Sequence, residues 1–201
     1  MRRFFATILL LVVTSTALGS NILGPNFHEV DRGNFYRSAQ LNEKEFARYI
    51  QKYRIQTIIN LRGQNPDQPW YQDELAVSQK YGVQHFDISM SAKALPHREN
   101  LLRLLELYET APRPILIHCQ GGADRSGEAA AIYQMLYQGK SKKEALKQLT
   151  LRYHHAQKFK PAKRYFIESV WQGENWAYNN YYPCDADYRF YDKNNPRCLE
   201  P

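Results

Sequence analysis

Residues 115–127 read Ile-Leu-Ile-His-Cys-Gln-Gly-Gly-Ala-Asp-Arg-Ser-Gly and join an apolar segment to a helical one. The first three residues form the short apolar run that is typical of a buried strand. Residues 129–136 then place apolar side chains at helical spacing, and Gly139 is suited to end the helix. The pattern predicts a strand, a tight loop and a helix.

The loop between this strand and this helix contains one cysteine, two glycines and one arginine. Gly121 and Gly122 allow a turn in which successive N–H groups face one concavity at the helix N-terminus, an arrangement that binds anions. The helix dipole and Arg125 would both favour the thiolate of Cys119. Arg125 can also hold two oxygens of a phosphate, and Ser126 can offer its hydroxyl to the departing sulfur. These residues predict a nucleophilic cysteine in a phosphate-binding loop.

The pattern His118-Cys119-x-x-Gly122-x-x-Arg125-Ser126 resembles the signature loop of cysteine-dependent protein tyrosine and dual-specificity phosphatases. Residues 36–40, Tyr-Arg-Ser-Ala-Gln, extend the resemblance to bacterial, exported dual-specificity-like phosphatases. It implies hydrolysis of phosphomonoesters through a phosphocysteine on Cys119, without metal or cofactor, and with His118 supporting the cysteine. The residues expected to bind the phosphoryl oxygens are Gln120, Gly121, Gly122, Ala123, Asp124 and Arg125.

The general acid is the point at which the sequence departs from this family. The family carries an aspartate in the segment that corresponds to 87–98, but here Asp87 is the only carboxylate before Glu99 and lies in or at the edge of a predicted strand. Asp124, inside the loop, is the second candidate, and a role in shaping the loop is its alternative. Protonation of the leaving group is worth ~10²–10⁴-fold. Without a dedicated acid, activated or aryl phosphates become the expected substrates.

Helices and short apolar strands alternate along the rest of the chain. The predicted elements are a helix that starts at the Asn42–Glu45 capping box, strands over 57–61 and 83–88, helices over 70–81 and 101–108, a helix over 141–153, and a last helix that starts at Pro161. With the resemblance, this pattern predicts a single dual-specificity-phosphatase-like α/β domain, in which helices flank a central, mostly parallel sheet.

Residues 1–19 have two arginines, an apolar run and small residues before Ser20, which is the pattern of a secretory signal peptide. The run is short for a transmembrane helix, so a retained anchor is the alternative and no stable membrane span is expected after processing. We expect an exported, periplasmic or secreted protein with a phosphatase domain over 20–172 and an aromatic and polar tail over 173–201. In that compartment Cys184 and Cys198 would pair and leave Cys119 as the free thiol.

The formal net charge of +7 suits a phosphorylated protein or a small phosphorylated polyanion as substrate. Phosphotyrosine or phosphoserine/threonine proteins are the first expectation, and inositol polyphosphates or phosphoinositides are the alternative, since Lys93, His97 and the patch over 158–164 could supply charge. A catalytically silent phosphate-binding module is a third reading, although such a module would be expected to lack Cys119 or Arg125.

The basic residues over 152–164 are predicted to form a solvated face. We expect a monomer and no nucleic-acid partner.

Overall fold

A five-stranded sheet with helices on both faces carries the Cys119 loop. The computed structural model of the chain describes residues 24–185 and 187–191. The strands are β1 (His28–Asp31), β2 (Phe35–Ser38), β3 (Thr57–Asn60), β4 (Gln84–Asp87) and β5 (Ile115–His118). The helices are α1 (Glu43–Tyr53), α2 (Pro69–Tyr81), α3 (Arg98–Thr110), α4 (Arg125–Tyr137), α5 (Lys142–Ala145), α6 (Pro161–Tyr165) and α7 (Glu174–Asn179). Two 3₁₀ turns (Leu146–Gln148, Leu151–Tyr153) follow α5, and a π-helical turn (Phe166–Val170) continues α6.

The strands lie in the order β1-β2-β5-β3-β4, and only β1 runs antiparallel to its neighbour. Strand β5 is therefore central, and its last residue, His118, lies opposite Ser38 on one side and Asn60 on the other. Ligands of such sheets bind at the carboxyl ends of the strands, which is where β5 delivers Cys119. The predicted α/β class with a mostly parallel, helix-flanked sheet is confirmed.

Alternate residues of β5 face two separate hydrophobic cores. Ile115 and Ile117 pack into the larger core with residues of α3 and α4, while Leu116 packs into the smaller core with residues of α1 and α2. Because successive strand residues point to opposite faces, a strand covered by helices on both sides must be apolar throughout. This is why the run at 115–117 contains no polar residue.

The helix predicted over 141–153 is observed only as the short α5. Arg37 Nη1 donates to the carbonyl oxygen of Gln148 at 2.7 Å, and Arg164 Nη1 donates to that of Leu149 at 3.1 Å. The α-helix has already ended at Ala145, where the Leu146 carbonyl accepts the N–H of Leu149, three residues on, and also binds Arg164 Nη1, so 3₁₀ turns follow.

Helix α7 lies in the segment that the sequence marked as an aromatic tail, and it was not predicted. Ala177 on α7 and Tyr181 beyond it are buried in the larger core.

The predicted signal peptide and Cys198 lie outside the described residues, so cleavage after residue 19 and the Cys184–Cys198 disulfide stay predictions. Within 24–185 and 187–191, no helix combines the length and the apolar character needed to cross a bilayer.

Candidate active site

The loop over 119–124 turns sharply between β5 and α4, and Gly122 makes this turn possible. Its φ of +64° is in the left-handed region, and a Cβ built on it would lie 2.5 Å from the backbone nitrogen of Ala39. A side chain at this position would be both strained and blocked by backbone atoms. Gly121 has neither restriction. The sequence predicted that both glycines were needed for the turn, but only Gly122 is.

Four successive carbonyl groups of the loop are bound by donors that lie outside it. Asn26 Nδ2 donates to Gly121 (2.9 Å), Arg37 Nη2 donates to Gly122 (2.6 Å) and Ala123 (3.1 Å), and the Gln40 N–H donates to Gln120 (3.1 Å).

These contacts fix the direction of the loop's N–H groups. In a trans peptide unit the C=O of one residue and the N–H of the next point in opposite directions. Since the carbonyls of residues 120–123 face outward, the N–H groups of residues 121–124 face the concavity above Cys119. The result is a row of four donors at the N-terminus of α4, which is a site for an anion such as a phosphoryl group. Arg37 is fully buried, and by binding the carbonyls of Gly122 and Ala123 it fixes the orientation of these N–H groups.

Cys119 lies at the base of the loop and is almost completely buried. Burial raises the pKa of its thiol, but the positive charge of Arg125 and hydrogen bonds from the hydroxyl and backbone N–H of Ser126 lower it by more. The pKa of Cys119 is consequently below its ordinary value. The negative charge of Asp124 acts in the opposite direction and favours the thiol. Cys119 is a free cysteine in the structure.

Arg125 begins α4 and extends back over the loop. Its Nη1 donates to the carbonyl of Leu61, just after β3, at 3.2 Å, and to that of Met90, beyond β4, at 3.3 Å. The guanidinium is thus oriented by two backbone carbonyls from different parts of the sheet edge. This places a cation beside Cys119, as the six-residue spacing predicted.

The His118 ring is hydrogen-bonded to Glu74 of α2. Glu74 Oε1 lies 2.8 Å from Nε2 of His118 and 2.8 Å from Nε2 of His85, and Gln40 Nε2 donates to the other oxygen at 2.7 Å. Burial alone would raise the pKa of Glu74, but the two histidines lower it to about 2. Glu74 is therefore a buried carboxylate that fixes the ring beside the nucleophile. The sequence pattern did not single out this residue, since an acid in an amphipathic helix looks like a surface residue.

Asp87 is the last residue of β4, two strands away from β5. Its Oδ1 accepts a hydrogen bond from Asn60 Nδ2 at 2.8 Å, and its Oδ2 accepts one from the Tyr71 hydroxyl at 2.5 Å. Adjacent strands are about 4.8 Å apart, so Asp87 is roughly 10 Å from the β5 backbone. Both oxygens have structural partners at the sheet edge.

Asp124 lies within the loop, next to Arg125. Its Oδ1 is 2.8 Å from Nδ1 of His155, whose side chain is fully buried, while the Asp124 side chain is 19% exposed. His155 was predicted to lie on a solvated face, and so was Lys163. Both are buried: His155 Nδ1 lies within hydrogen-bond distance of Asp124, and Lys163 forms an ion pair with Glu128. The prediction was wrong for these two residues, because their acidic partners are far away in the sequence.

Arg62 adds a second guanidinium to the same edge of the sheet. It follows β3, its Nη1 donates to Oε1 of Gln40 at 2.8 Å, and its guanidinium stacks 3.4 Å from the centre of the Trp70 ring. Burial and then the charge of Arg125 lower the pKa of Arg62, and Cys119 also interacts with it electrostatically. No motif in the sequence marked Arg62 as a site residue.

Several solved structures are similar to this fold. The core catalytic domain of the PP-IP phosphatase Siw14 from S. cerevisiae, in complex with citrate, has a TM-score of 0.60 and 24% identity, with 72% of this chain and 84% of that chain covered. TpbA from P. aeruginosa has a TM-score of 0.55 and 23% identity over 71% of this chain and 83% of its own. A TpbA variant in complex with pTyr has a TM-score of 0.56 and 22% identity, over 72% and 83%. At these identities the likeness establishes the fold.

The sequence itself matches a family model described as "DSP-PTPase phosphatase fused to NAD+ Kinase" over residues 12–167. A search of curated proteins found no match. The matched segment covers more than half of the chain and includes β1 to β5, the whole Cys119 loop and Arg125. The chain therefore belongs to this family of cysteine-dependent, dual-specificity-type phosphatases.

Proposed function

We propose that the protein hydrolyses phosphomonoesters in two steps, through a phosphocysteine on Cys119. The observation that carries the proposal is the combination of a buried cysteine of lowered pKa with a row of N–H groups directed at the space above it. Neither feature has a use in a loop that serves only to connect a strand to a helix. Together they are suited to hold and attack a phosphoryl group.

In the first step, the Cys119 thiolate attacks phosphorus and the bond from phosphorus to the leaving oxygen breaks. The N–H groups of residues 121–124 and Arg125 hold the three phosphoryl oxygens while negative charge spreads over them. A proton donor transfers its proton to the leaving oxygen, which departs as an alcohol or a phenol. In the second step, water attacks phosphorus, its proton returns to the donor, and the sulfur leaves as a thiolate that Ser126 stabilises by hydrogen bonding.

Asp124 is the proton donor in this proposal. It belongs to the loop that binds the phosphoryl group and is partly exposed, although His155 Nδ1 lies 2.8 Å from its Oδ1. Asp87 is two strands away, and Tyr71 and Asn60 bind both of its oxygens.

Phosphotyrosine proteins are the proposed substrates. The proposed donor, Asp124, is also bonded to His155, and a phenolate leaves with less need for protonation than an alkoxide does. TpbA, whose variant is known in complex with pTyr, is a similar fold. An inositol polyphosphate is the second candidate, because Arg62 places another cation near Arg125 and Siw14, also similar in fold, is a PP-IP phosphatase.

A panel of substrates tests this proposal. Peptides that carry phosphotyrosine, phosphoserine or phosphothreonine and a set of inositol polyphosphates should be compared by kcat/KM, each with and without a chelator. We expect turnover that the chelator does not alter and a preference for phosphotyrosine. A preference for inositol polyphosphates that Arg62→Gln abolishes would favour the second candidate. Binding of substrates without any turnover would show the silent module instead.

A further inference from the structure

The loop over 88–97, between β4 and α3, is bonded to the rest of the protein at several points. Its residues Met90 and Leu95 are buried in the larger core. Its hydrogen bonds to segments distant in the sequence include those from Lys163 Nζ to Ala94 O (2.8 Å), from Arg125 Nη1 to Met90 O (3.3 Å), from Leu95 N to Phe190 O (3.0 Å) and from the Tyr181 hydroxyl to Pro96 O (2.6 Å). The donors and acceptors come from α4, α6 and the segment after α7.

Lys163 is the most unusual of these partners, because its ammonium group is completely buried. It lies on α6 and donates both to Ala94 O and to Glu128 Oε2, at 2.9 Å, and the Glu128 side chain is also fully buried. Glu128 is on α4, three residues after Arg125. The ammonium group of Lys163 therefore joins α4, α6 and the loop over 88–97.

Stability does not account for this ion pair. Removing two charges from water costs several kcal/mol, and well-packed apolar residues in place of a buried pair are often as stable or more stable. An apolar pair could not, however, donate a directed hydrogen bond to Ala94 O. The lysine therefore supplies what an apolar pair would not, a directed hydrogen bond that adds to the other contacts of the loop.

The position of the loop matters for Arg125, because Met90 O is one of the two carbonyls that orient its guanidinium. We propose that Lys163 is a positioning residue. It holds the loop over 88–97 against α4, so that Arg125 is correctly oriented before substrate binds. This inference rests on the proposed function for its kinetic consequence. Its structural part, a loop that is in place without ligand, does not depend on turnover.

The first test uses the parent protein and hydrogen exchange. Amides of the loop over 88–97, such as that of Leu95, which donates to Phe190 O, should exchange about as slowly as those of α4 without any ligand. Saturating vanadate should slow them by less than about threefold. Slowing of tenfold or more by vanadate would mean that the loop closes on its ligand, and this would overturn the proposal.

The second test replaces the ion pair as a whole, since Lys163→Met alone would leave Glu128 buried without its cation. The double variant Lys163→Met/Glu128→Met should keep a melting temperature close to that of the parent. Its loop amides should exchange at least tenfold faster, kcat/KM should fall by roughly tenfold or more, and inhibition by vanadate should weaken by a similar factor. Lys143→Met, at an exposed lysine on α5, is the matched control and should change none of these values.

The outcomes separate this inference from the proposed function. The role of Lys163 would be overturned if the double variant had the same exchange rates for its loop amides and the same kcat/KM as the parent. If the double variant does not fold, the vanadate experiment on the parent can still overturn the proposal, by showing that the loop closes only on its ligand. A parent protein without phosphatase activity would refute the proposed function, while the exchange data would still report whether the loop is held in place.

Discussion

At the scale of single residues, the chemistry of Cys119 depends on partners at very different distances along the chain. Arg125 and Ser126 lie within seven residues of it, and the motif predicted both. Glu74 lies 44 residues from the His118 that it holds, and His155 lies 31 residues from Asp124. No local pattern marks such pairs, because they meet only through the order of the strands and the packing of the helices.

Asp124→Asn is the substitution that tests the assignment of the proton donor. We expect kcat to fall by ~10²–10⁴-fold for a phosphoserine peptide, whose alkoxide leaves poorly, and by much less for nitrophenyl phosphate. Steady-state kinetics with the two substrates measure the difference. Asp87→Asn is the matched control, and it should reduce both rates by a similar, smaller factor.

Asp87 would be the donor if the dependence on the leaving group followed Asp87→Asn. Equal losses for both substrates in both variants would mean that the enzyme has no dedicated acid. In that case only substrates with good leaving groups would be turned over efficiently.

At the scale of the helices and strands, the sequence predicted the elements that local pattern determines. The structure contains β5, α4 and α2 where the apolar spacing predicted them. Helix α2 ends at Gly82, which has a left-handed conformation. The helix predicted over 141–153 ends at Ala145, where the Leu146 carbonyl accepts from the Leu149 N–H and from Arg164, and Arg37 binds the carbonyl of Gln148 in the 3₁₀ turn that follows. Arg37 is itself a residue that looks exposed in the sequence and is completely buried in the fold.

Glu74 joins α2 to β4 and β5, and its pKa makes the strength of that junction depend on pH. The pKa of Glu74 is lowered from 4.5 to about 2 in the folded protein. The unfolded chain therefore takes up the proton first as the pH falls, and the stabilisation is complete above about pH 5 and disappears between 4.5 and 2. We expect Glu74→Gln to lower the free energy of unfolding by about 1–3 kcal/mol at pH 7 and by progressively less below pH 4.5.

Denaturant titrations of the parent and of Glu74→Gln across this pH range measure the effect. Glu43→Gln, at an exposed residue in the first turn of α1, serves as the control for the loss of an ordinary surface carboxylate. A difference in stability that stays constant from pH 7 to pH 3 would show that the histidines do not hold Glu74 ionised.

At the scale of the whole molecule, the family and the α/β class followed from the motif and from the alternation of elements, and both are confirmed. The strand order and the central place of β5 did not follow, since pairing between distant strands leaves little local signal. Helix α7 was missed because its apolar contacts, Ala177 and then Tyr181, are too few to give a helical period. Export, the assignment to the exported bacterial branch, the Cys184–Cys198 disulfide and the monomeric state stay predictions.

The central claim is that Cys119 forms the covalent intermediate. A rapid denaturing quench during turnover of nitrophenyl phosphate, followed by peptide mapping, should find one phosphoryl group on the peptide that contains Cys119. Cys119→Ser should give neither this adduct nor turnover, because a serine hydroxyl is not ionised near neutral pH, while its loop should still bind vanadate. Turnover of Cys119→Ser within tenfold of the parent, or a phosphoryl group on another residue, would contradict the mechanism.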